Sequence, residues 1–156
     1  MHKYPISHQG LTGLTVIELM VAIAIIAVAT TIALPSYSNY VERTKVSRAI
    51  DDIGAINAKL RLYMVDNAVP PPSLAAVGES GKKDPWGNSY QYTNLTTAGI
   101  GKARKNKNLV PINSDFDLWS NGKDGITKLP LTAKASQDDV ILANDGRYIG
   151  LASNYE

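Results

Sequence analysis

The sequence predicts an α+β fold in which one long, kinked N-terminal helix packs against a small antiparallel sheet. Residues 14–34 are mainly apolar and carry a single charge, Glu18, and residues 37–64 carry apolar side chains at three- and four-residue steps. The remaining chain holds short runs of strand-forming residues between Gly, Asn and Asp turns. We therefore expect the second half of the helix to pack on the sheet and the apolar half to lie in a membrane.

The apolar segment is long enough to span a bilayer, because a helix over residues 14–34 rises about 31 Å. A cleavable secretory signal should have an apolar run of roughly 7–15 residues, whereas this run continues to Pro35. Glu18 indicates more than a passive anchor, since a carboxylate in an apolar helix is costly and is normally paired or functional. A cut between Gly13 and Leu14 would create an α-amine that Glu18 could neutralise, in its own chain or in a neighbour.

The helix should continue past Pro35 and end near Asn67. Proline lacks an amide donor and should kink the helix rather than end it if packing holds the flanking turns. The three prolines at 70–72 cannot continue it. The polar stretch 94–111 is predicted to be an exposed loop. We predict one helical turn at Ser73–Val77 and candidate strands at Tyr90–Thr93, Phe116–Ser120, Asp139–Ala143 and Tyr148–Ala152, of which two or three would pair.

Composition excludes several function classes. With 16 Lys and Arg against 14 Asp and Glu, the charge is too balanced to imply nucleic acid as a partner. The absence of cysteine excludes disulfides and thiolate metal sites. The two histidines, His2 and His8, lie at the extreme N-terminus, and no phosphate loop is present, so we do not expect an enzyme. The basic cluster from Lys102 to Lys107 is predicted to be a solvated loop, with no role assigned to it.

The acidic segment 115–125 superficially matches an EF-hand but fails its spacing. An EF-hand needs oxygen ligands at positions 1, 3 and 5, yet counting from Asp115 places Trp119 at position 5. Another calcium geometry stays open, because Asp124, Asp138 and Asp139 flank one loop and calcium accepts six to eight oxygens. The alternative is an ordinary turn with solvated aspartates.

The segment Gly13-Leu14-Thr15-Val16-Ile17-Glu18-Leu19-Met20 resembles the N-terminal signal of type IV pilins and type II secretion pseudopilins. That pattern is a glycine, a cut, an N-methylated hydrophobic residue and Glu at the fifth mature position. Pro35 then falls where these families carry a helix-kinking proline, although Leu14 stands where Phe is commoner. The resemblance implies a prepilin peptidase that removes residues 1–13 and methylates Leu14. A cut after Gly10 would put Thr15 in the fifth position, so we prefer Gly13.

Two further segments resemble the signature of the type II secretion major pseudopilin: Asp84-Pro85-Trp86-Gly87-Asn88 and the acidic segment 115–125. In that family, calcium is bound by a carbonyl three residues before an Asp and by a Ser-x-Asp-Asp segment. The connection between these two ligand groups is longer here than is typical. The resemblance implies a structural calcium ion bound by the carbonyls of Asn121 and Ser136 and by the carboxylates of Asp124, Asp138 and Asp139.

These observations predict a leader at 1–13, a membrane and filament-core helix at 14–35, and a periplasmic domain at 36–156. The resemblance implies a subunit of a type II secretion pseudopilus that drives proteins across the outer membrane. It would sit in inner-membrane lipid by a single pass and then join a homopolymer filament, with an inner-membrane assembly platform and minor pseudopilins as partners. The alternative is a major or minor pilin of a type IV pilus, for adhesion, motility or DNA uptake. The absence of a C-terminal cysteine pair favours the pseudopilus.

Overall fold

The computed structural model describes residues 13–156, and most of the predicted leader therefore lies outside the described residues. The chain divides into two compact units, residues 1–40 and 41–156. One helix, α1 (Val16–Asn67), runs through both ranges and contains Pro35. The prediction of a single long helix that continues past Pro35 and ends near Asn67 is confirmed.

The described part of the first unit is the apolar segment of α1. By length and composition, α1 could cross a membrane, and the side chains of its apolar stretch are exposed. Two hydroxyls in this stretch bond to the helix backbone: Thr30 Oγ1 donates to the Ile26 carbonyl and Thr31 Oγ1 to the Val28 carbonyl, both at 2.7 Å. The hydroxyls therefore do not require water, which suits an apolar environment.

The second unit contains a four-stranded antiparallel sheet in the order β1-β2-β3-β4. Four strands pair where two or three were predicted, and each lies within one residue of its predicted bounds. Short helices connect them, including the predicted turn at Leu74–Val77 and a helix α2 (Leu95–Ala98) inside the predicted loop. The strands are β1 (Gln91–Asn94), β2 (Phe116–Ser120), β3 (Val140–Ala143) and β4 (Tyr148–Leu151).

The sheet has an apolar core on each face, because successive strand residues alternate between faces. On the inner face, α1 packs its buried residues against alternate residues of β2 and β3. On the outer face, a second core forms around Trp119 and Ile141 under the long loops. The inner core consists of Ala49, Ile53, Ile56 and Leu60 from α1 with Tyr90, Phe116, Leu118, Val140 and Leu142.

The loop after β1 is more structured than its composition predicts. Asn94 ends β1 and caps α2, its Oδ1 accepting from the amide nitrogens of Thr96 and Thr97. Ala103 and Arg104 are each only 2% exposed. The prediction that the basic cluster is simply solvated is therefore wrong for Arg104, which lies beneath the loop surface.

Candidate functional site

The predicted processing and assembly residues lie at the start of α1. Glu18 Oε2 accepts from the Thr15 amide at 2.8 Å and from the Thr15 hydroxyl at 2.6 Å, while Thr15 Oγ1 accepts from the Glu18 amide at 3.3 Å. This reciprocal arrangement is a capping box, which sequence analysis missed although Thr-x-x-Glu is its signature. Leu14 is 76% exposed just before it. The cut between Gly13 and Leu14 and the pairing of Glu18 with an α-amine stay predictions.

The Asp84–Asn88 turn connects α1 to the loop that follows β2. Asp84 Oδ1 accepts from the amides of Trp86 at 3.0 Å and Asn88 at 2.8 Å, which closes the turn. The Trp86 indole donates to Glu42 Oε1 on α1 at 2.9 Å. Asn88 Nδ2 donates to the Gly122 carbonyl at 3.0 Å. The turn thus fixes the loop that contains the predicted ligands Asn121 and Asp124.

Asp124 and Asp138 are brought together on the surface. Asp138 Oδ2 accepts from the Asp124 amide at 2.9 Å, and Asp124 Oδ1 accepts from the Ile126 amide at 2.7 Å. Gly122 approaches the Asp138 backbone so closely that a Cβ atom there would lie 2.2 Å from the Asp138 carbonyl oxygen. Hydrogen bonds and close backbone packing therefore join the two halves of this loop.

The two predicted carbonyl ligands lie in turns nearby. Asn121 uses its side chain locally, with Oδ1 accepting from the Trp119 indole at 2.9 Å. The Ser136 carbonyl accepts from the Asp139 amide at 3.3 Å. The Ser136 hydroxyl bonds in both directions to the backbone of Lys128, at 2.9 Å each. These contacts order the turn 134–136 before β3.

Asp139 lies in a different environment from Asp124 and Asp138. It is fully buried, and its Oδ2 accepts from Arg104 Nη2 and from Thr127 Oγ1, each at 2.6 Å. Burial raises the pKa of Asp139, and the bonds to Thr127 and Arg104 oppose that rise. Its other oxygen, Oδ1, is buried without a hydrogen-bond partner among the described residues. The predicted ligand Asp139 is thus held in an internal ion pair.

Arg104 was missed by sequence reasoning as a site residue. Its guanidinium stacks over the Trp119 ring at 5.0 Å, and its Nη1 donates to Thr127 Oγ1 at 2.9 Å. Its backbone amide donates to Asp117 Oδ2 at 2.7 Å. Burial raises the pKa of Asp117, and hydrogen bonds from Arg104 and Asn113 oppose the rise. No sequence signal marks this cluster, because Arg104 is 13 residues from Asp117 and 35 from Asp139.

Of the three predicted carboxylate ligands, Asp124 and Asp138 lie together, whereas Asp139 is paired with Arg104. Asp139 Oδ2 is committed to Arg104, so its carboxylate as placed does not fit the predicted ligand set. Between residues 13 and 156, no group of three or more His, Cys, Asp or Glu side chains is arranged to hold a metal ion. The calcium ion therefore stays a prediction that a binding measurement must test.

Comparison with known proteins supports the resemblance seen in the sequence. The chain is 30% identical over 135 residues to the type II secretion system core protein G of Pseudomonas aeruginosa, covering 73% of this chain and 84% of that protein. It is 29% identical over 146 residues to the type IV major pilin protein PilE of Neisseria gonorrhoeae, covering 86% of each. A type II secretion system core protein G of Vibrio cholerae is 31% identical over 101 residues, 52% of this chain and 69% of that protein.

No family model matches the chain, and no solved structure matches it significantly. The similarity to core protein G nevertheless extends over most of both chains. A long apolar helix followed by a small antiparallel sheet agrees with that similarity. The chain therefore belongs to the pilin-like family that includes type IV pilins and the type II secretion core protein G.

Proposed function

We propose that this protein is a structural subunit of a type II secretion pseudopilus, a filament of many copies that drives folded proteins across the outer membrane. The observation that carries the proposal is the docking of the Asp84–Asn88 turn on residues 120–122. Ser120 Oγ donates to Asp84 Oδ2 at 2.5 Å, and Asn88 Nδ2 donates to the Gly122 carbonyl at 3.0 Å. These two segments are the ones that resemble the major pseudopilin signature. The contacts between them give a structural reason for the residues found in both.

The exposed apolar side chains of α1 explain why such a subunit needs a membrane and then a filament. Leu14, Ile17 and Ile25 are each more than 60% exposed, which is unfavourable in water. Lipid of the inner membrane would cover them before assembly, and the helices of neighbouring copies would cover them afterwards. The domain from residue 36 onward would lie in the periplasm.

Assembly would begin with cleavage after Gly13 by a prepilin peptidase and methylation of the new Leu14 amine. Glu18 would then exchange its local contact with Thr15 for the charged amine of a neighbouring copy. An ion pair in surroundings of low dielectric constant is stronger than the same pair in water, so this exchange favours the assembled state. The inner-membrane platform and minor pseudopilins would supply the remaining machinery.

A second candidate is a major or minor pilin of a type IV pilus. It is favoured by the similarity to the gonococcal type IV major pilin, which covers 86% of both chains. Both candidates place the chain in a helical filament, but they differ in what the filament does for the cell.

Deletion of the gene in its own host separates the two. We expect cells that lack the gene to retain normally secreted enzymes inside the cell envelope, while their surface pili and motility are unchanged. Plasmid-borne wild-type protein should restore secretion, and the Glu18→Ala variant, expressed at the same level, should not. Normal secretion together with loss of pili would reject the pseudopilus and support the pilin.

A further inference from the structure

We propose that the Arg104 guanidinium takes the place of a calcium ion on the outer face of the sheet. It pairs with Asp139, which the sequence pattern predicts to be a calcium ligand. The folded unit would then require no calcium. The proposal rests on contacts within residues 41–156, so it holds for a pseudopilin and for a pilin alike.

Both members of the Arg104–Asp139 ion pair are buried. Arg104 is 2% exposed and Asp139 is 0% exposed, whereas isolated charges are almost never fully buried. Each ion therefore depends on the other for its stability in the folded chain. The pair is not a surface contact that water could replace, and loss of either partner would leave an uncompensated charge inside.

Arg104 also joins the segments that a bound ion would have to join. Nη1 contacts Thr127 in the loop after β2, and Nη2 contacts Asp139 immediately before β3. The guanidinium plane lies over Trp119 of β2, and the Arg104 amide bonds to Asp117 of the same strand. Arg104 thus joins β2, the loop after it and the residue before β3, in a chain that contains no cysteine.

The Asp139 carboxylate itself offers little to a calcium ion. Asp139 Oδ2 already accepts two short hydrogen bonds, and a second cation beside the guanidinium would be repelled. Asp139 Oδ1 is buried without a partner among residues 13–156, so it is the one oxygen of this carboxylate that an ion could still contact. Asp138 already accepts from the Asp124 amide, so the loop between them is closed without an ion.

The first test uses the unmodified full-length protein in detergent. Its unfolding is followed by tryptophan fluorescence, since both tryptophans, Trp86 and Trp119, lie in the 41–156 unit. We expect the same melting midpoint with millimolar calcium and with chelator, and no calcium heat signal in titration calorimetry. A midpoint several degrees higher in calcium would overturn the proposal, because an ion that binds the folded state must stabilise it.

The second test removes the guanidinium. Arg104→Met should lower the midpoint by many degrees, while Lys105→Met, at the exposed neighbouring position, should leave it nearly unchanged. The double variant Arg104→Met/Asp139→Leu should be more stable than the sum of the single changes predicts, because it removes both buried charges.

Equal midpoints for Arg104→Met and Lys105→Met would also overturn the proposal, as would strict additivity in the double variant. A single variant that does not fold at all is the expected loss in its extreme form. The calcium comparison on the unmodified protein can still refute the proposal in that case.

Discussion

Replacement of Gly122 by alanine tests whether the loop after β2 is held against the turn that carries Asp138, just before β3. Gly122 has φ +64°, in the left-handed region that is unfavourable for alanine. An alanine Cβ would lie 2.2 Å from the Asp138 carbonyl oxygen and 2.6 Å from the Asp138 carbonyl carbon. Gly81 supplies a matched control, because its φ is +72° and a Cβ there meets nothing within 4 Å. The two substitutions share the backbone penalty and differ in the clash.

The expected magnitude follows from these two contributions. The left-handed conformation costs alanine about 1–2 kcal/mol at either position, partly offset by the lower entropy of the unfolded chain. At Gly122, the contact is with backbone and cannot be relieved by a rotamer change, and overpacking of this kind adds about 1–3 kcal/mol. The displaced loop would also strain the bond from Asn88 Nδ2 to the Gly122 carbonyl. We therefore expect Gly122→Ala to be about 2 kcal/mol less stable than Gly81→Ala.

The assay is thermal unfolding of the full chain in detergent, read by tryptophan fluorescence. For a folded unit of this size, a difference of about 2 kcal/mol corresponds to a midpoint lower by roughly 8 °C. Equal midpoints for Gly122→Ala and Gly81→Ala would show that the loop is free to move away from Asp138. The close packing of Gly122 on the Asp138 backbone would then not contribute to stability.

Three further predictions concern processing, assembly and the core. Intact-mass measurement on membrane extracts should find a mature chain that begins with N-methylated Leu14, and a mature N-terminus at Leu11 or Ser36 would contradict the register. Glu18→Ala protein should enter the membrane as well as the wild type, because the anchor becomes more apolar, but electron microscopy should find no filaments; normal filament yield would end this idea. Ile53→Ala should cost about 2–5 kcal/mol in the buried inner core. Leu62→Ala, 63% exposed on the same helix, should change stability by less than about 0.5 kcal/mol in the same denaturation experiment.

The sequence alone determined the helix and the strands, and it predicts a processing register that stays to be measured. Helical periodicity, the apolar run and the prolines at 70–72 each act between residues a turn or so apart, so α1 could be predicted nearly to its ends. Strand-forming residues between turn signals placed the four strands within one residue of their bounds. The capping box of Thr15 and Glu18 was equally local and could have been found from its Thr-x-x-Glu spacing.

Only the tertiary structure decided the environment of the charged residues. A cluster of four basic residues normally indicates a solvated loop, and the exposed Lys105 fits that interpretation. Arg104 departs from it because the fold brings Asp139 and Trp119 to its side chain from positions far along the chain. In the same way, Asp138 and Asp139 are adjacent in sequence, yet one bonds to a surface loop and the other is buried beside a guanidinium. Local pattern specifies which residues form helices and strands, whereas the partner of a buried charge depends on the packing of distant segments, which no local spacing encodes.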